Sequence, residues 1–148
     1  LLIGWLEHGG DFASLTLMFQ KEVADRLLAA PDSKTYGRLS VMAQWRCDVQ
    51  RVMDLPARAF TPPPKIASAI VRLSDRADPY LHLDALERVT AAAFGQRRKM
   101  LRNTLKSLCG EAAFTAAGID PQRRAETLSV AEFVALADAS VPARLRTQ

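Results

Sequence analysis

The sequence predicts an α/β unit followed by an all-helical unit, on three observations. Apolar runs of strand length alternate with amphipathic stretches of helix length as far as residue 75. A polar segment, Asp75 to Asp78 with Pro79, then interrupts the pattern. Beyond it apolar residues recur only at helical spacing, so the predicted division is 1–75 and 76–148. With 148 residues, 49% of them hydrophobic, the chain has the material to bury a core.

The opening Leu1-Leu2-Ile3-Gly4-Trp5-Leu6 has no methionine, cap or polar lead-in and reads as the interior of an apolar helix, which predicts a piece of a longer protein. After a Gly9-Gly10-Asp11 turn, Ser14 to Phe19 reads as a buried strand. Lys21 to Ala30 follows as a helix with Val23, Leu27 and Leu28 on one face, a strand-to-helix step of α/β type. Pro31-Asp32-Ser33 stops it, and Tyr36 to Arg46 reads as the next helix, with Leu39, Met42 and Ala43 on one side. Asp48 to Met53 alternates as a strand, and Ile66 to Leu73 is a second β-branched run predicted to lie antiparallel to it. Between them stands Phe60-Thr61-Pro62-Pro63-Pro64-Lys65, whose three prolines fix three φ angles and remove three donors. That segment must be an exposed, extended strut.

In the second unit, Asp84 with Glu87 forms a capping-box-like start to a helix whose Leu86, Val89 and Ala93 lead to Phe94. The next helix is expected from about Arg97 to Leu108, and Ala112 to Ala117 forms a short one ended by Gly118. Ser129 with Glu132 caps a last helix through Ala139, turning Phe133, Leu136 and Ala137 inward.

A net charge of +4 is only moderately basic, and both halves share the excess: residues 1–74 hold 9 Lys/Arg against 7 Asp/Glu, residues 75–148 hold 11 against 9. The notable charge is therefore local. Arg97, Arg98, Lys99, Arg102 and Lys106 fall within ten residues free of acids, a field suited to phosphate. On a helix, Leu101, Leu105 and Leu108 would share one face, with Lys99, Arg102 and Lys106 beside it, a face either for nucleic acid or simply for solvent. Arg97 lies nearer the apolar side and reads as an interdomain ion-pair residue. Phe60 either stacks on a base or packs in a core. Gln20, Lys21 and Glu22 sit where a strand gives way to a helix, the position at which α/β sheets place ligand contacts, but a solvated Lys21 and a Glu22 paired with Arg26 is the preferred reading. Trp5 and Trp45 read as packing residues.

Cys47 and Cys109 have no ligand spacing with His8 or His82, so neither a disulfide framework nor a zinc site is expected. No nucleophile or acid–base set and no glycine-rich phosphate loop occurs. No apolar run reaches the roughly 18 residues of a bilayer span and no signal-peptide pattern is present, so a soluble, cytoplasmic protein without membrane contact is expected.

Six strings in order, Gln20-Lys21-Glu22-Val23, Tyr36-Gly37-Arg38-Leu39-Ser40-Val41, Phe60-Thr61-Pro62-Pro63-Pro64-Lys65, Phe94-Gly95-Gln96-Arg97-Arg98-Lys99, Gly118-Ile119-Asp120-Pro121 and Arg124-Ala125-Glu126-Thr127-Leu128-Ser129, closely resemble the bacterial small-subunit ribosomal RNA dimethyladenosine transferases. The resemblance covers nearly the whole chain. It implies a Rossmann-like S-adenosylmethionine-dependent methyltransferase sheet, here about its last three strands, followed by a small all-α domain. It implies N6,N6-dimethylation of two adjacent adenosines near the 3′ end of small-subunit ribosomal RNA, with the immature small subunit as partner. Phe60, Pro62, Pro63 and Pro64 would line the target-adenine pocket, and Arg98, Lys99, Arg102 and Lys106 would contact RNA.

The sequence also departs from the family. The glycine-rich cofactor loop, the ribose-binding acid and the catalytic Asn-Leu-Pro-Tyr tetrapeptide of these enzymes do not occur in it. Neither cofactor binding nor methyl transfer is therefore expected of these 148 residues alone, and no catalytic residue is assigned among them. Two rival expectations are a large-subunit ribosomal RNA methyltransferase of the erythromycin-resistance group, which the Phe60–Lys65 and Phe94–Lys99 strings disfavour, and a non-catalytic RNA-binding or ribosome-assembly module.

Overall fold

The computed structural model describes residues 2–7, 12–76 and 82–142. The Gly9-Gly10-Asp11 turn, His8, the Asp78-Pro79 boundary and the side chain of Trp5 lie outside what it describes. Its elements run α1 (Leu2–Glu7), β1 (Ser14–Gln20), α2 (Lys21–Leu28), α3 (Arg38–Arg46), β2 (Cys47–Leu55), β3 (Ser68–Asp75), α4 (Leu83–Gly95), α5 (Leu101–Thr104), α6 (Glu111–Ala117) and α7 (Val130–Ser140). Short 3-10 turns stand at Ala57–Ala59 and Ala125–Thr127.

The three strands form one sheet in the order β1-β3-β2, with β3 antiparallel to both neighbours. β1 and β2 are therefore parallel, and α2 and α3 make the crossover between them, as the strand-to-helix reading anticipated. Ala69, Val71 and Leu73 of β3 are buried, and with Ala24, Leu27 and Ala43 they make the core between sheet and helices. The other face is open. Its cross-strand rows include Met18, Ile70 and Met53, and Gln20, Ser68 and Leu55. A bulge at Val52 shifts the register so that Arg51 stays opposite Val71 while Met53 stands opposite Ile70. Arg51 thereby shares the helix-covered face, where it hydrogen-bonds Asp25 of α2 and, at 2.6 Å, Asp54. The Arg51 bond first, with the nearby Lys21 charge, holds the Asp25 carboxyl below the usual carboxylate range against an opposing burial effect.

β3 begins two residues later than the β-branched run predicts. The Ala67 carbonyl accepts from Lys21 N–H at 2.9 Å and so serves the first turn of α2 rather than the ladder. At the far end Arg46, 8% exposed, meets Asp75 at 3.1 Å. Leaving either charge alone there would cost several kcal/mol.

A second, larger core is helical: Leu86, Val89, Leu101, Leu105, Leu128, Phe133 and Leu136 are all essentially inaccessible. α6 ends as predicted, Gly118 taking the left-handed conformation (φ 67°) while Ile119 N–H donates back to the Phe114 carbonyl at 3.0 Å. α7 begins as predicted, with reciprocal bonds between Ser129 and Glu132. The start of α4 differs: Asp84 sits inside its first turn with no side-chain cap at His82, and Glu87 accepts from Arg38 at 3.3 Å.

The two cores interlock. Ala29, Tyr36, Val41 and Met42, from the α2–α3 region, belong to the helical core, and Trp45 packs against it. Tyr36 meets Phe94 edge-on at 5.9 Å, Phe94 lies 5.4 Å from Phe133, and the Tyr36 hydroxyl donates to the Leu128 carbonyl at 2.7 Å. Asp32 N–H donates to the Glu126 carbonyl at 2.8 Å. The chain between Pro121 and Ser129 is thus held from the sheet side as well as from its own.

Candidate nucleic-acid interface

β2 leaves the sheet through Pro56 and a 3-10 turn in which Phe60 N–H donates to the Ala57 carbonyl at 3.2 Å. Phe60 then adopts an extended backbone and Thr61 to Ile66 are exposed, the strut that the prolines predict. Phe60 is half-buried and belongs to neither hydrophobic core. Its ring instead borders a pocket of about 520 Å³ on the open face of the sheet. Pro62 and Pro64 wall this pocket, Met18, Gln20 and Ser68 form its floor, and Lys65 stands at its side. Pro63 is exposed and is not among the lining residues. Gln20 stands at the strand end singled out for ligand contact, whereas Met18 and Ser68 escaped the sequence reading. The signal for Met18 was the alternation along β1, which leaves it and Gln20 exposed on the face that no described helix covers.

The cationic segment is not the helix predicted from Arg97 to Leu108. Residues 96–99 form a turn, with Lys99 N–H on the Gln96 carbonyl at 2.9 Å, and Met100 is extended and pairs antiparallel with Arg124. Leu101 N–H donates to the Arg123 carbonyl at 2.8 Å and Arg102 N–H to that of Pro121 at 2.9 Å. A continuous helix would spend those donors on the carbonyls of Arg97 and Arg98, so pairing with 121–124 excludes it and leaves one turn, α5. Leu101 and Leu105 remain fully buried, as their spacing predicts, and Leu108 is half-buried.

Arg98, Lys99, Arg102 and Lys106 are exposed and form no ion pair among the described residues. Arg102 and Lys106 border one cleft, whereas Lys99 comes from the preceding turn rather than from a shared helix face. Arg97 meets Glu126 at 3.9 Å, inside the helical unit rather than across to the sheet. Arg124 adds an exposed cation that the sequence reading did not single out, delivered by its backbone pairing with Met100. Its neighbour Arg123 differs: it is bonded to Glu132 at 2.6 Å and to the Thr127 carbonyl at 2.6 Å. Glu22 pairs with Arg26 at 2.7 Å as expected, and Lys21 approaches Asp25 at 3.6 Å.

Cys47 and Cys109 are free thiols, and no metal-binding cluster occurs among the described residues. No glycine-rich cofactor loop stands among the described residues. The described glycines are Gly4, Gly37, Gly95, Gly110 and Gly118, none of them in a loop at the carboxyl end of a strand. No described helix is long and apolar enough to cross a membrane.

Solved structures share this arrangement. A dimethyladenosine transferase from Plasmodium falciparum superposes with a TM-score of 0.75 at 26% identity, covering 91% of this chain and 60% of that one. The 23S rRNA methyltransferase ErmE superposes with a TM-score of 0.62 at 24% identity, which bears on fold alone. The sheet and its helical appendage are therefore of the Rossmann-like methyltransferase class. The family model for ribosomal RNA adenine dimethylase matches residues 1–140, and the chain belongs to that family. Relatives named ribosomal RNA small subunit methyltransferase A are 64% identical over 142 residues in Phenylobacterium zucineum and 57% identical over 142 residues in Rhodospirillum rubrum. These alignments take in 94% of this chain but 50% and 49% of the relatives, so the chain spans about half their length.

Proposed function

We propose that this chain supplies the target-base pocket and RNA-contact surface of an adenine N6,N6-dimethyltransferase acting near the 3′ end of small-subunit ribosomal RNA. The observation that carries the reading is Phe60: an aromatic ring outside both cores, held at the end of a proline strut over an open pocket. A flipped adenine needs a flat apolar face and polar groups at its edge, and Phe60 with Gln20, Ser68 and Lys65 offers both. Pro62 and Pro64 stiffen the wall and Pro63 holds the strut extended. The cations Arg98, Lys99, Arg102 and Lys106 take the phosphate backbone. The family implies S-adenosylmethionine as methyl donor in general. The division at residues 75 and 76 is part of the same proposal, with the pocket on one unit and the cations on the other.

Fluorescence anisotropy with a hairpin from the 3′ end of small-subunit RNA tests it. Replacing Lys99, Arg102 and Lys106 together by alanine is expected to weaken binding and flatten the plot of log K against log salt by roughly 0.7–0.9 per lost phosphate contact. An unchanged slope would return those residues to a merely solvated face.

A further inference from the structure

A second cavity lies in the helical unit, between α5 and the start of α6. It has a volume of about 470 Å³, within the range of small-ligand sites. Arg102 lies in α5 and Lys106 in the turn that follows it, and neither is in an ion pair among the described residues. The interior is different in character: Cys109 and Phe114, 4% and 3% exposed, and Pro121 make an apolar floor. Glu111 stands on the remaining rim.

A phosphate track along a surface needs cations but no cavity, and an apolar ligand needs a cavity but no cations. The two together fit a molecule with a flat apolar ring and an attached phosphate. The Glu111 carboxylate disfavours a second or third negative charge, which selects a chain phosphodiester over a free nucleoside di- or triphosphate. We propose that this cleft seats one unpaired nucleotide of the bound RNA, its phosphate on Arg102 and Lys106 and its base against Pro121 and the reachable edge of Phe114. The inference rests on the RNA-binding reading above and adds to it a second base site, separate from the pocket at Phe60.

Gly110 makes the test selective. It borders the cleft, its φ of −77° suits any residue, and a Cβ built there meets no heavy atom within 4 Å. Gly110→Leu therefore adds an apolar side chain at the cleft border without a clash at Cβ, while leaving every cation in place. Anisotropy would compare a 12-nucleotide single-stranded RNA with an abasic strand of equal length and charge. The chain is expected to prefer the base-bearing strand several-fold, since an abasic strand keeps the phosphates and loses only the apolar contact. In Gly110→Leu that preference should fall several-fold while affinity for the abasic strand and the salt slope stay put.

A preference unchanged in Gly110→Leu but abolished by Phe60→Ala would assign base contact to the other pocket alone and overturn the cleft site. Failure of the unmodified chain to bind either strand would instead defeat the broader RNA reading. Adenosine 5′-monophosphate binding more tightly than the base-bearing strand would overturn the choice of RNA as occupant. Should Gly110→Leu not fold, 4-thiouridine RNA photocrosslinked to the unmodified chain decides: adducts between residues 109 and 121 support the site, and adducts confined to other segments overturn it.

Discussion

Phe60 and Tyr36 are aromatic residues with opposite fates, and neither fate was readable from residue type. Tyr36 is fully buried and its hydroxyl is paired, whereas Phe60 stands apart from both cores. On the proposed reading, Phe60→Ala placed in a full-length enzyme carrying this segment is expected to reduce methyl transfer by about 5- to 150-fold if a stacking energy of about 1–3 kcal/mol is expressed in the transition state. Folding and cofactor binding should be largely unaffected. Phe60→Trp and Phe60→Tyr should retain more activity than Phe60→Leu, because a base needs a flat face. A fully active Phe60→Leu, with Phe60→Ala lowering chiefly the melting temperature, would make the residue a packing one. Tyr36→Phe leaves the Leu128 carbonyl without its donor in a dry site and should cost about 1–3 kcal/mol in urea unfolding at pH 7. Burial, aided by the Glu132 charge, also drives the Tyr36 phenol well above its ordinary range. The folded state thus holds that proton harder than the unfolded chain, so stability falls as pH rises above about 10, more steeply than in Tyr36→Phe.

At the scale of elements, the sequence was a sound guide wherever the decisive bonds are local. The stop of α6 at Gly118 and the capping box of α7 are settled within a few residues, and both stand where expected. The missed elements are those whose donors or carboxylates are claimed from far along the chain. The helix expected from Arg97 loses its start to the 121–124 segment, the cap expected at Asp84 loses Glu87 to Arg38, and the start of β3 gives its Ala67 carbonyl to α2. The pocket was half legible for the same reason: the strut declares itself through its prolines, but its floor is assembled from β1, some forty residues earlier, and from the start of β3. The α7 cap offers a quantitative check. Ser129→Ala should cost about 0.5–2 kcal/mol. Arg123 foremost, with the Ser129 backbone N–H, holds the Glu132 carboxyl below the usual range against an opposing burial effect. Glu132 therefore stabilises the fold fully above its unfolded pKa of about 4.3, and that contribution is lost as pH falls through its lower folded value. The stability gap between the unmodified chain and Glu132→Gln should be widest near neutrality and close in acid.

For the molecule as a whole, the interlocked cores predict a single unfolding transition. Tyr36, Val41 and Met42 reach from the sheet side into the helical core, so helical signal by circular dichroism and tryptophan fluorescence should change together with denaturant. Separate midpoints would show two independently stable units. Calorimetry with S-adenosylmethionine should give no saturable binding at micromolar concentration, since no described residue set cradles it; stoichiometric heats would refute this. The Cys109 thiol, pushed up to about 11 by burial, should resist alkylation at pH 8 until the helical unit opens.

The pairing of residues 100–102 with 121–124 joins main chain to main chain. Because none of its bonds uses the side chain of Arg98, Lys99, Arg102, Lys106 or Arg124, the shape of this ledge is independent of the charges it carries. Those five positions are therefore open to exchange one at a time with little effect on stability, and on the proposed reading each swap would change the strength of RNA binding. A surface of this kind separates foldability from affinity, so selection can retune the second while the first is held fixed.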